Sequence, residues 1–213
     1  MTSAELVGVV LGAGSSRRLG RPKQTLPLGD TTVLGWVMLD VEASALDRVV
    51  LVVGGAADEA LAGLELRRTT VARNESYGSG CASSLLAGLD AAGSCEAVML
   101  LLGDMPGVDA AVIDAVRGDW EAHRPWAAVT SYEGGLGGES ALGHPLIFSS
   151  AAFADLRALR GDKAVWKIVE GQPHRVRKVS IARRVPGDVD TWEDYEAVCR
   201  RLGVAPAPEL ATP

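Results

Sequence analysis

Apolar residues in this chain fall into short continuous runs separated by stretches with three-and-four spacing, the alternation expected of buried strands and one-sided helices. Residues 6–11 form the first run, rich in Val, which predicts a strand buried on both faces. A turn at 27–30 precedes Thr31 and Thr32, either of which can cap a helix carrying Val33, Trp36, Val37 and Val41 on one face. Residues 49–53 read as a second strand ended by Gly54-Gly55, 58–64 as a short helix and 69–72 as a third strand. The polar loop 74–80 feeds a helix over 82–89, and 97–102 is the strongest strand, ended by Gly103-Asp104-Met105-Pro106. A helix over 109–123 buries Val112, Ile113 and Val116, and a strand follows at 126–130. The glycine-rich stretch 133–142 reads as a mobile loop or ribbon, or equally as a plain surface hairpin, before the apolar run 146–148. Thr191 caps a last helix whose Glu193 and Asp194 suit its positive end. Strand and helix in this order predict an α/β fold, a mostly parallel central sheet with helices on both faces. No linker divides the chain, so residues 1–203 are expected to form one domain and 204–213, with three prolines, a disordered tail.

Composition narrows the partners. The 213 residues are 47% hydrophobic and 23% charged, ordinary for a globular domain. A net charge of −6 argues against general affinity for nucleic acid or an anionic membrane, so any anion must be held by a local basic site. Cys81, Cys95 and Cys199 are far apart and odd in number, which suggests neither a disulfide framework nor a zinc site. No apolar stretch is long enough to span a membrane, and the first run is too short and lacks the basic flank of a secretory signal. Cytoplasmic location is the expectation.

The local basic site follows the first strand. Leu11, Gly12, Ala13, Gly14, Ser15 and Ser16 lead into Arg17, Arg18, Arg21 and Lys23. Small residues after a strand allow a tight turn that brings backbone N–H groups to an anion, and four cations follow directly. The stretch is not a Walker loop, because Gly-x-x-x-x-Gly-Lys-Ser/Thr does not occur, and not the dinucleotide fingerprint, because a loop carrying Pro22 follows Gly12-x-Gly14 instead of a helix. It predicts a phosphate-binding loop, against the plainer reading of a turn with solvated cations. Asp104, at the carboxyl end of the strongest strand, stands where doubly wound sheets gather ligands and is a candidate ligand for a hard cation, or else a turn cap before Pro106.

These segments resemble the MobA-like nucleotidyltransferases over most of residues 5–201. Gly14, Ser16, Arg18, Gly20 and Lys23 fall on the family's Leu-Ala-Ala-Gly-x-Ser-x-Arg-Met-Gly-x-x-Lys, with Gly12 in place of Ala and Leu19 in place of Met. Asn74, Gly80, Ser84 and Leu85 match a segment that the family sets against the nucleotide base; Glu75 stands where proline is usual, and Ser84 reads equally well as an ordinary first-turn serine. Gly103-Asp104-Met105-Pro106 matches Gly-Asp-x-Pro, and Asp188-Val189-Asp190-Thr191 matches a late Asp-x-Asp-Thr, which offers Asp190 as a second metal carboxylate. Gly143-His144-Pro145 and Gly161-Asp162-Lys163 resemble the branch that transfers cytidylyl groups to the molybdenum cofactor, with His144 on the acceptor side. That branch usually continues Gly-Ala-Arg where this chain has Ala164-Val165-Trp166.

The resemblance implies a single-domain Rossmann-like, GT-A-like nucleotidyltransferase fold. It further implies transfer of a nucleoside monophosphate from an NTP, CTP before GTP, to a phosphorylated acceptor, foremost molybdopterin, with release of pyrophosphate. In this reading Mg²⁺ sits on Asp104 and Asp190, Arg18 and Lys23 stabilise developing charge, and the loop amides from Gly12 to Ser16 cradle phosphates. A recipient molybdoenzyme is the expected transient partner. A sugar-phosphate nucleotidyltransferase and a non-catalytic cofactor-carrying module are the alternatives; a glycosyltransferase would more often carry a compact Asp-x-Asp at the metal strand, where this chain has Gly103-Asp104-Met105.

Overall fold

The computed structural model describes residues 5–14, 19–133, 140–159, 161 and 164–207. The strands are β1 (Leu6–Gly12), β2 (Pro27–Leu28), β3 (Thr31–Thr32), β4 (Arg48–Val53), β5 (Thr69–Arg73), β6 (Ala97–Leu102), β7 (Ala127–Tyr132), β8 (Ala141–Ser149) and β9 (Val176–Ile181). The helices are α1 (Val33–Ala43), α2 (Ala57–Leu61), α3 (Cys81–Ala92), α4 (Ala110–His123), α5 (Phe153–Ala158), α6 (Ala164–Gly171) and α7 (Trp192–Leu202). Among the described residues the main sheet has seven strands in the order β5-β4-β1-β6-β8-β7-β9, and β2 pairs with β3 in a small hairpin.

The α/β expectation holds, with one strand reversed. β1 pairs in parallel with β4 (Val9 opposite Val50) and with β6 (Val9 opposite Leu100). β8 runs antiparallel between β6 and β7, and β9 is parallel to β7. The reversal follows from chain economy: β7 and β8 are neighbours joined through 133–140, far too short for a parallel crossover. Of that connection, 134–139 lies outside the described residues.

Alternate residues of the buried strands feed two cores. Val49, Leu51 and Val53 of β4, with Ala97, Met99 and Leu101 of β6, face α1 and α4; Val50, Val52, Val98 and Leu100 face α3, α5 and α6. Gly88 lets α3 lie close to the sheet, because a Cβ there would stand 2.4 Å from Val9 Cγ1. A third cluster joins Leu19, Leu26, Leu28 and Val33 to Val189, Tyr195, Val198 and Cys199. It explains why Trp36 is not on the sheet-facing stripe: α1 is covered on two sides, with Leu34 and Met38 against the sheet and Trp36 against the third cluster.

Thr32 caps α1 by accepting from Gly35 N, Asp109 caps α4, and Thr191 with Asp194 forms a reciprocal capping box on α7. Of the segment expected to be disordered, residues 204–207 are instead placed against the fold. Val204 packs on the third cluster and Ala207 N donates to Tyr195 Oη at 3.1 Å, while 208–213 lie outside the described residues. No helix among the described residues is long and apolar enough to cross a membrane.

Candidate functional site

The site forms at the carboxyl ends of β1 and β6. The two ends are tied together where Gly103 N donates to Leu11 O at 3.0 Å. β1 ends at Gly12, and Ala13 and Gly14 continue the loop; Ser15, Ser16, Arg17 and Arg18 lie outside the described residues. The chain returns at Leu19, which is buried, and Pro22, at φ −62°, leads into a short 3₁₀ turn over Lys23–Thr25. That turn points Lys23 and Gln24 inward. Gln24 Nε2 donates to Gly14 O at 3.3 Å and so braces the loop from below.

Lys23 reaches two carboxylates. Its Nζ contacts Asp104 Oδ2 and lies 2.6 Å from Asp190 Oδ1. Asp190 arrives there by main-chain tethering, since Val189 N donates to Asp104 O at 2.9 Å and the Val189 side chain is fully buried. The structure thus brings together Lys23, Asp104 and Asp190, three residues that the sequence separates widely. Burial pushes the Asp104 carboxyl up, the Lys23 ammonium pulls it back, and the charges of Asp188 and Asp190 push it up again, leaving it above its ordinary value. Burial acts against the Lys23 ammonium too, yet Asp104 and Asp190 outweigh it and hold the lysine protonated.

Asp104 Oδ1 is buried without a hydrogen-bond partner, an uncommon condition for a carboxylate oxygen. A hard divalent cation is the chemistry that fits it. Among the described residues no group of three or more His, Cys, Asp or Glu is assembled for a metal. A carboxylate pair such as Asp104 and Asp190 is the donor set suited to an ion that completes its shell from phosphate oxygens and water.

Beside the loop lies a cleft of ≈ 230 Å³ lined by Gly12, Ala13, Gly14, Gln24, Gly54, Gly55 and Tyr77. Gly55 lets the end of the Tyr77 ring lie close over it: a Cβ there would stand 2.4 Å from the Tyr77 hydroxyl. Tyr77, 40% exposed, presents its ring beside this opening. Sequence reasoning passed over Tyr77, Gly55 and Gln24; the available signals were an aromatic in a glycine-rich loop, a glycine pair ending a strand and a polar residue following Pro22 and Lys23.

Asn74 and Ser84 are buried and bonded to each other, Asn74 Nδ2 donating to Ser84 Oγ at 3.0 Å and to Ser83 Oγ at 2.9 Å. They pin the end of β5 to the first turn of α3 and do not line the cleft beside the loop. Gly80, at φ 106°, makes the turn into α3. His144 lies on β8 two residues before Leu146, the partner of Leu100, so it stands at the sheet end where β6 reaches Asp104. Burial holds its imidazole down at about 4, and its ring meets Trp166 of α6 edge-on at 5.8 Å. Asp162 and Lys163 lie outside the described residues.

A small-residue loop beside a lysine-bridged acid pair, at the carboxyl ends of parallel strands, is the place where α/β folds gather anionic ligands such as phosphates. Residues 8–177 match the MobA-like NTP transferase domain, and the chain belongs to that family of nucleotidyltransferases. Rv0371c from Mycobacterium tuberculosis H37Rv superposes with a TM-score of 0.81 at 38% identity, covering 93% of this chain and 100% of that one. The same protein in complex with manganese is 35% identical over 93% of this chain and 100% of that one, with a TM-score of 0.76. A nucleotidyl transferase from Methanothermobacter thermautotroptrophicus is 25% identical, with a TM-score of 0.71 and coverage of 92% and 97%. Nicotine blue oxidoreductase of Paenarthrobacter nicotinovorans is 28% identical over 193 residues, 88% of this chain and 93% of that protein.

Proposed function

We propose that this nucleotidyltransferase moves the cytidylyl group of CTP to the phosphate of molybdopterin or its molybdenum-loaded form, releasing pyrophosphate, in the cytoplasm. The observation that carries the reading is the joint hold of Lys23 on Asp104 and Asp190 beside the loop. Both reactants are anions, so the chain's tasks are to neutralise repulsion, hold the phosphates in line and receive charge on the leaving pyrophosphate. The amides of Gly12 to Ser16 bind phosphate oxygens, and Arg18 and Lys23 take up the developing charge. An ionised acceptor phosphate needs no general base. Neutral His144 offers a hydrogen bond at the acceptor side. Asp104 and Asp190 would hold Mg²⁺, which when bound neutralises triphosphate charge; the manganese complex of Rv0371c supports a divalent ion in this family.

The choice of CTP rests on the resemblance of Gly143-His144-Pro145 and Gly161-Asp162-Lys163 to the cytidylyl-transferring branch of the family. The test is pyrophosphate release with Mg²⁺ and molybdopterin, CTP against GTP, with acceptor omitted or replaced by a sugar phosphate. Release that needs both CTP and the pterin is expected; release with sugar phosphate alone would move the acceptor to that class. The oxidoreductase name of one relative suggests a reduction instead. Consumption of NAD(P)H is the control that would reveal it.

A further inference from the structure

The Lys23 ammonium occupies the place between two carboxylates that the proposed function gives to a divalent cation. It contacts Asp104 Oδ2 and lies 2.6 Å from Asp190 Oδ1, yet leaves the buried Asp104 Oδ1 without a donor. A single ammonium therefore satisfies the acid pair only in part, and a buried carboxylate oxygen left without a donor is costly. The backbone of Lys23 is fixed by Pro22 and the 3₁₀ turn, whereas its head is a point charge on a flexible stem that can turn away with no backbone change. The arrangement is also open on one side. The Asp190 side chain is 41% exposed against 17% for Asp104, so solvent reaches the pair from the Asp190 side.

We infer that Lys23 is a resident counter-ion for Asp104 and Asp190, displaced when a divalent cation enters and drawn at the same time to the triphosphate. Ammonium and cation compete for the same carboxylates, while ammonium and triphosphate attract. Nucleotide that draws Lys23 away frees the acid pair for the cation, and a bound cation frees Lys23 for the nucleotide. The two ligands are thereby coupled, and the coupling is reciprocal. This inference rests on the reading that the acid pair binds a divalent ion.

The experiment is Mn²⁺ titration of the nucleotide-free protein, followed by electron paramagnetic resonance, for wild type, Lys23→Met, and Lys23→Met combined with Asp104→Asn. Lys23→Met is expected to bind Mn²⁺ about tenfold tighter than wild type, within the roughly 5–150-fold range usual for coupled ligands. Equal or weaker binding by Lys23→Met overturns the inference. The cation-site reading itself fails if adding Asp104→Asn leaves Mn²⁺ affinity unchanged; if Asp104→Asn abolishes binding but Lys23→Met has not tightened it, only the counter-ion role is lost. Should Lys23→Met fold poorly, Lys23→Gln read by thermal melting decides the same point. Mn²⁺ is expected to raise its Tm more than that of wild type, and an equal or smaller rise overturns the inference.

Discussion

Lys23 Nζ and Asp190 Oδ1 lie 2.6 Å apart although 167 positions separate them along the chain. The contact exists because two connections converge on the end of β6. The loop after β1 returns through Pro22, and the approach to α7 is fastened by Val189 to the main chain of Asp104. Neither residue could reach the other without β1 and β6 lying side by side, so the sheet order creates the site.

Tyr77 stands at the mouth of the cleft that the loop borders. Stacking of an aromatic on a nucleic base is worth about 1–3 kcal/mol, so Tyr77→Ala should raise the KM for nucleotide roughly tenfold while changing kcat little. Steady-state kinetics with varied nucleotide check this; an unchanged KM would mean that Tyr77 does not stack on the base.

His144 makes stability depend on pH. Its folded pKa, about 4, lies below the ordinary 6.5, so the unfolded chain binds a proton that the folded chain refuses. Stability contributed by the neutral ring is complete above 6.5 and falls as pH drops toward about 4, by roughly 3 kcal/mol in total. Urea unfolding on either side of that window should show the loss in wild type and a smaller one in His144→Gln.

Two glycines in helices should respond oppositely to alanine. Gly88→Ala places a Cβ 2.4 Å from Val9 Cγ1 and 3.2 Å from Val52 Cγ2, an overpacking expected to cost about 1–3 kcal/mol and lower Tm. Gly118, inside α4, has nothing within 4 Å of an added Cβ, and Gly118→Ala should stabilise by about 1 kcal/mol through helix propensity. Thermal melts of the two variants give the comparison directly.

Local signals made much of this legible in the sequence. β1, β4 and β6 are unbroken apolar runs, and the caps Thr32, Asp109 and Thr191 are side chains whose chemistry acts within three residues. Asp104 was legible because its strand was. The antiparallel insertion of β8 was not, since an apolar run has no direction. Residues 150–187 mix short apolar pairs with charges, and there α5, α6 and β9 take their identity from packing on α3 and β7. The meeting of Lys23, Asp104 and Asp190 depends on tertiary tethering at Val189, which no spacing rule reports. The buried pairing of Asn74 with Ser84 was hidden for the same reason.

The Lys23-bridged acid pair is proposed to serve transfer of a nucleotidyl group. The measurement that tests it most directly follows CTP labelled at the α-phosphate, with molybdopterin and Mg²⁺, for wild type and Asp104→Asn matched for folding by circular dichroism. Label should move to the acceptor in wild type and at least about 10²-fold more slowly in Asp104→Asn, the scale of losing one preorganised electrostatic group. Label transferred equally fast by the variant would contradict it.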